Sequence, residues 1–151
     1  MNSTLLLGYR PCMDTTLFDQ LRQLQLPPNG YAIFGSGPLA IRGIIPACND
    51  LDILCKQDVW DIVSREGVTE FLPEYDVTVA SFFDGAITFG TEWGIGEFNV
   101  VELIDTAEMI DSLPFVRLEY VVRYKMIRSS TKDLQHLSAL KTSSYRYVEA
   151  K

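Results

Sequence analysis

Two short stretches of this chain carry residues whose types and spacing suit phosphate and metal chemistry. One is the turn Gly35-Ser36-Gly37-Pro38; the other is the run Asp50-Leu51-Asp52-Ile53-Leu54-Cys55, separated from Ser36 by thirteen residues. In a strand, successive side chains alternate, so Asp50 and Asp52 fall on one face and Leu51 and Ile53 on the other. Two carboxylates on one face repel unless a cation joins them. A hard divalent ion, magnesium above all, takes oxygen ligands and shares them with substrate phosphates. The turn supplies the other half of that chemistry. Tyr31-Ala32-Ile33-Phe34 reads as an apolar strand entered through Asn29-Gly30, and it breaks at Gly35. Pro38 then opens a short helix carrying Leu39, Ala40, Ile41 and Ile44, which leaves the amides of Ser36 and Gly37 at a helix start, where an anion is favoured. Arg42 follows closely, and either contacts a ligand or faces solvent.

The elements that must hold these residues follow from periodicity and turn signals. Asp14 caps a first helix over roughly 15–25, with Leu17, Phe18, Leu21 and Leu24 as its apolar stripe, and Pro27-Pro28-Asn29-Gly30 ends it. A helix is predicted near 57–66, with Val59, Trp60, Ile62 and Val63 apolar and Gly67 as its stop. Asp76 to Phe82 and Ala86 to Phe89 flank Asp84-Gly85 and read as a hairpin. Phe98 to Ile104 reads as a further strand, followed by helices near 106–112 and 115–128 separated by Pro114. A last helix over about 131–141 is capped by Ser130 or Thr131, with Leu134, Leu137 and Leu140 on one side. The expected fold is α/β (α+β): one domain over 1–151, a mixed, antiparallel-tailed sheet of about five strands covered by helices, with C-terminal helices from about 106 to 141.

Composition bounds the function. The chain has 151 residues, 47% hydrophobic and 22% charged, which suits one soluble globular domain with a proper core. Its formal net charge of −7 argues against broad binding of a nucleic-acid backbone, although a local basic patch is compatible with it. No run reaches the roughly 18 apolar residues of a membrane span, and Thr4-Leu5-Leu6-Leu7-Gly8 is too short for a signal-peptide core, so a cytoplasmic location is expected. Cys12, Cys48 and Cys55 form neither a disulfide framework nor a zinc pattern. His136 stands alone in sequence and reads as a surface or capping residue. Trp60 reads as helix core, whereas Trp93 lines a pocket or an interface.

A glycine-serine turn opening a short helix, followed by an aspartate-apolar-aspartate strand, resembles the signature of the nucleotidyltransferase superfamily related to DNA polymerase beta. The later stretches Gly96-Glu97-Phe98-Asn99-Val100-Val101-Glu102-Leu103, Leu118, Tyr124-Lys125 and Lys132-Asp133-Leu134 resemble, more loosely, the strand bearing a third acid and the C-terminal helices of small bacterial members. The resemblance implies transfer of a nucleoside monophosphate from a nucleoside triphosphate, ATP above all, to a small-molecule or protein hydroxyl. It implies two magnesium ions held by Asp50, Asp52 and a third acid, Glu102, with Glu97 as the alternative; the family commonly has aspartate there. Gly35, Ser36 and Gly37 would cradle the triphosphate, and Arg42, Lys125 or Lys132 would balance its charge, unless the lysines lie on solvated helix faces. Partners implied are the triphosphate, an unidentified acceptor, and a second copy or a small partner protein. The alternative is a catalytically inactive module of the same fold that binds a nucleotide or a partner, such as a toxin-antitoxin component.

Overall fold

The computed structural model describes residues 13–93 and 98–147, without the side chains of 13–16. Seven strands and six α-helices are found among them. Helix α1 (Met13–Gln23) precedes β1 (Tyr31–Phe34), α2 (Gly37–Ile41) and β2 (Leu51–Cys55). Helix α3 (Gln57–Glu66) leads to β3 (Val68–Leu72), β4 (Val77–Phe82) and β5 (Ile87–Gly90). Next come α4 (Val100–Asp105), the small hairpin β6 (Glu108–Ile110) and β7 (Leu113–Phe115), then α5 (Leu118–Arg128) and α6 (Thr131–Thr142). No helix of the described residues is long and apolar enough to cross a membrane.

The strands form one mixed sheet in the order β3-β4-β5-β2-β1-β7-β6. Its centre is the pair that carries the motif: β1 runs antiparallel to β2, setting Phe34 opposite Asp52. On its other side β2 runs parallel to β5, setting Asp52 beside Thr88. Because helices cover the sheet, the centre reads as continuous apolar sequence; all four residues of β1 are buried, and so is every residue of β2 except half-buried Asp52. Helix α3 packs on β2 to β5, α4 on β1 and β2, and α2 against β1 and α5.

The mixed α/β class matches expectation, and seven strands replace about five. Strand β3 had no counterpart in the sequence reading; it is an edge strand, mostly exposed, paired only with β4. Two segments differ in kind. The stretch read as a strand over Phe98 to Ile104 is helix α4 from Val100: Asn99 accepts a hydrogen bond from the Glu102 amide at 3.1 Å, and this cap outweighs the strand preference of Val100 and Val101. The helix expected near 106–112 is instead the β6–β7 hairpin. Its two-residue turn puts Asp111 and Ser112 at φ 50° and 69°. Arg22 of α1 fixes it, donating from Nη2 to the Asp111 carbonyl at 2.6 Å.

Candidate active site

Gly35 closes β1 with φ +64°, a conformation open to glycine without strain. A Cβ there would lie 3.4 Å from Asp52 Oδ2, so the missing side chain leaves the face of the carboxylate clear. Gly37 serves packing instead: a Cβ would collide with Ile33, so its absence lets α2 lie close on β1. Ser36 is the N-cap residue of α2, but its side chain makes no cap bond. It reaches across to the C-terminal helices. The Ser36 hydroxyl accepts from Lys125 Nζ at 3.2 Å and lies 3.3 Å from His136 Nδ1.

Aromatic packing brings the helices there. Phe34, two residues before Ser36, packs on Tyr124 with ring centroids 4.5 Å apart, and Phe98 closes the cluster from the α4 side. The next residue after Tyr124, Lys125, is buried. The expectation that it faces solvent is thus replaced by one in which its ammonium joins Ser36, Asp133 at 3.3 Å and His136 Nδ1 at 3.1 Å. Asp133 is also the N3 member of a capping box on α6, with Oδ2 accepting from Ser130 Oγ at 2.7 Å. Arg128 Nε lies 3.5 Å from the same Oδ2.

The charges decide the protonation states. Burial raises the Asp52 carboxyl to about 6, and the neighbouring Asp50 adds to the rise, while Arg128, Lys125 and Lys132 oppose it. Among the described residues no donor bonds the Asp52 carboxylate. Burial also lowers the Lys125 ammonium, against the pull of Asp133. His136 is pushed down to about 4 by burial and then by Lys125 and Lys132, so at neutral pH its ring is uncharged. Since the lysine ammonium only donates, Nδ1 of His136 is the acceptor and its proton resides on Nε2.

The structure therefore gathers Gly35, Ser36, Asp52, Lys125 and His136 in one place, with the charges of exposed Asp50 and Lys132 acting on it. Gly37 underlies the turn. Two residues stand elsewhere. Glu102 is exposed on α4, and among the described residues no three of His, Cys, Asp and Glu converge to hold a metal. Glu97 lies outside the described residues. Arg42 caps the far end of α2, where Nη1 donates to the Pro38 carbonyl at 2.7 Å and Nη2 to Glu108 Oε1 at 2.8 Å. Sequence reading missed Arg128 and His136 as site residues. Their signal is spacing: Lys125 and Arg128 on α5, and Asp133 and His136 on α6, are each three apart and share a helix face. Trp93 is half-buried, and its indole N–H has no partner among the described residues. Comparison with known protein families, curated proteins and solved structures finds no match to this chain.

Proposed function

We propose that this chain is a magnesium-dependent nucleotidyltransferase of the DNA polymerase beta type, moving a nucleoside monophosphate from a triphosphate to a small-molecule or protein hydroxyl. One observation carries the reading: a glycine-serine turn lies against a carboxylate that burial and a second carboxylate make costly to ionise, next to three cationic side chains. Fixed dipoles and charges of both signs in one half-buried place suit a polyanion bridged by a cation. Asp50 and Asp52 are the residues to hold magnesium, since that ion binds through one or two carboxylates and takes its other oxygens from phosphate and water. The bound ion supplies neutralisation of charge on the phosphates and on the attacking oxygen.

The chain's own groups do the remaining work. Lys125 carries the positive charge nearest the turn, and Asp133 with His136 hold its ammonium against Ser36. A neutral His136 accepts from Lys125 through Nδ1, which an imidazolium, protonated on both nitrogens, could not do. The Ser36 hydroxyl and the clear face above Gly35 let phosphate oxygens approach the carboxylate without a side chain between them. Arg128 and Lys132 add attraction at the rim.

Magnesium-dependent transfer of an α-labelled nucleoside triphosphate to a panel of small molecules, and to the chain itself, tests this reading. Label transferred by the wild type and lost in Asp52→Asn supports it; neither transfer nor magnesium-dependent triphosphate binding sinks it. Binding without transfer selects the second reading, an inactive nucleotide-binding module, favoured by the absence of a third converging acid among the described residues.

A further inference from the structure

A cavity of about 410 Å³ lies at the opposite ends of α2 and α5 from the carboxylate site. Ser36 and Lys125 belong to the N-terminal end of α2 and the last turn of α5, whereas Arg42 caps the C-terminal end of α2 and Arg117 the start of α5. Arg42, Arg117 and Arg146 line this cavity together with Tyr145 and Tyr147. Its volume falls in the range of small-molecule sites.

Three guanidinium groups share the space with two carboxylates, Glu108 and Glu119, in a chain whose net charge is −7. The local sign thus runs against the molecule as a whole. The arginines are unequally occupied. Arg42 is held by Pro38 and Glu108 through its two terminal nitrogens, and its side chain is only 7% exposed, so it forms a fixed positive floor. Arg117 is held at Nε alone, 3.4 Å from each oxygen of Glu119, and neither terminal nitrogen of its fork has a partner among the described residues. Arg146 bonds through Nη1 to the Ser143 and Tyr145 carbonyls of its own segment, and the rest of its fork has no partner among the described residues. Tyr145 and Tyr147 are 41% and 40% exposed and give flat apolar faces beside these forks.

We infer that this cavity binds a small phosphorylated ligand bearing an aromatic ring, a nucleoside monophosphate by chemical class. The forks of Arg117 and Arg146 match phosphate oxygens, and the tyrosine faces match a base. Arg42 and Arg117 already repel one another, a repulsion that an anion between them relieves. The site owes nothing to the carboxylate pair, so it stands or falls apart from the nucleotidyl-transfer reading.

The experiment is calorimetric titration of the full chain with AMP in EDTA, with inorganic phosphate and adenosine as separate probes. AMP is expected to bind more tightly than either fragment, and binding should weaken about tenfold or more in Arg117→Ala/Arg146→Ala while staying unchanged in Asp52→Asn. Arg146→Ala alone, in a segment outside any helix or strand, guards against a folding artefact and is expected to weaken AMP in the same direction. Absence of AMP binding overturns the inference, as does loss in Asp52→Asn but not in the arginine variants. Phosphate binding as tight as AMP overturns the assignment of a ring-bearing ligand.

Discussion

Asp52 reaches the candidate site from the central strand β2, with Asp50 just ahead of that strand, and among the described residues no donor bonds the Asp52 carboxylate. The cationic residues beside them come from two helices and are tied to one another: Lys125 to Asp133 and His136, Arg128 to Asp133, and Asp133 to its own helix start. The acidic side is held by the pairing of β2 with β1 and β5, and its carboxylate meets the nearby cations only through space. The basic side carries an internal counter-charge, so it keeps its geometry without a ligand. A protein that had only to fold would gain by replacing Asp52 with an apolar or neutral residue, since its ionised form is disfavoured by burial and by Asp50. Its presence at the centre of the sheet is the stronger sign of function, whereas the helix network also serves stability.

Removing the acidic side gives the largest contrast. Asp52→Asn is expected to reduce nucleotidyl transfer on the order of a thousandfold or more, while thermal unfolding in EDTA at neutral pH shows a chain at least as stable as the wild type. Magnesium should raise the unfolding temperature of the wild type and not of the variant. A variant both active and metal-responsive would remove Asp52 from the proposed chemistry.

The basic side should respond the opposite way, in stability. Asp133→Ala leaves Lys125 buried without its carboxylate and also breaks the capping box, and a cost of about 3–5 kcal/mol is expected by denaturant titration. Lys125→Met should cost less, because Asp133 keeps its bonds to Ser130 and its approach to Arg128. Equal costs would show that the network is not organised around Asp133.

Titration separates the two sides more finely. In metal-free buffer Asp52 has a folded-state value of about 6 against 3.8, so the folded chain holds the extra proton in that window and stability from this group falls as pH rises through it. His136 has about 4 against 6.5, so the unfolded chain holds the extra proton and stability rises over nearly the same window. The two slopes oppose each other, and together they flatten the wild-type profile. Unfolding measured from pH 4 to 6 should slope upward with pH in Asp52→Asn and downward in His136→Gln, each by at most about 1.4 kcal/mol per pH unit and less for His136, which solvent partly screens. Parallel changes in both variants would contradict the opposed environments.

The same contrast explains what the sequence made legible. The acidic side was readable because strand parity and a glycine turn are local signals: β1, the start of α2 and β2 lie close to where they were expected, and so does α3. The helix network was readable only as helices. Which face of α5 meets Ser36 depends on Phe34, Phe98 and Tyr124 packing together from three separate elements, and no local pattern states that. The β6–β7 hairpin was hidden for a related reason. Its Asp111-Ser112 turn lacks the glycine or asparagine that usually marks positive φ, and Arg22, 89 residues away, holds it. Arg42 looked like a ligand contact because it is near Ser36 in sequence, but α2 carries it to the other end of the helix.

The smallest expected effect concerns Glu102, the residue that sequence resemblance would add to the acidic side. Its carboxylate is exposed in the first turn of α4, its amide is capped by Asn99, and its carbonyl accepts from the Thr106 hydroxyl at 2.6 Å. Every bond shown at this residue belongs to the backbone, so Glu102→Gln should leave the cap intact and remove only a favourable charge near a helix start, a few tenths of a kcal/mol. Transfer should stay within about twofold of wild type, against the much larger loss at Asp52. A loss approaching that of Asp52→Asn, with unfolding unchanged, would mean that α4 moves its first turn onto the carboxylate pair when substrate binds. The acidic side would then be built from two elements rather than one, and the difference between the two sides would lie in ordering by ligand instead of in their make-up.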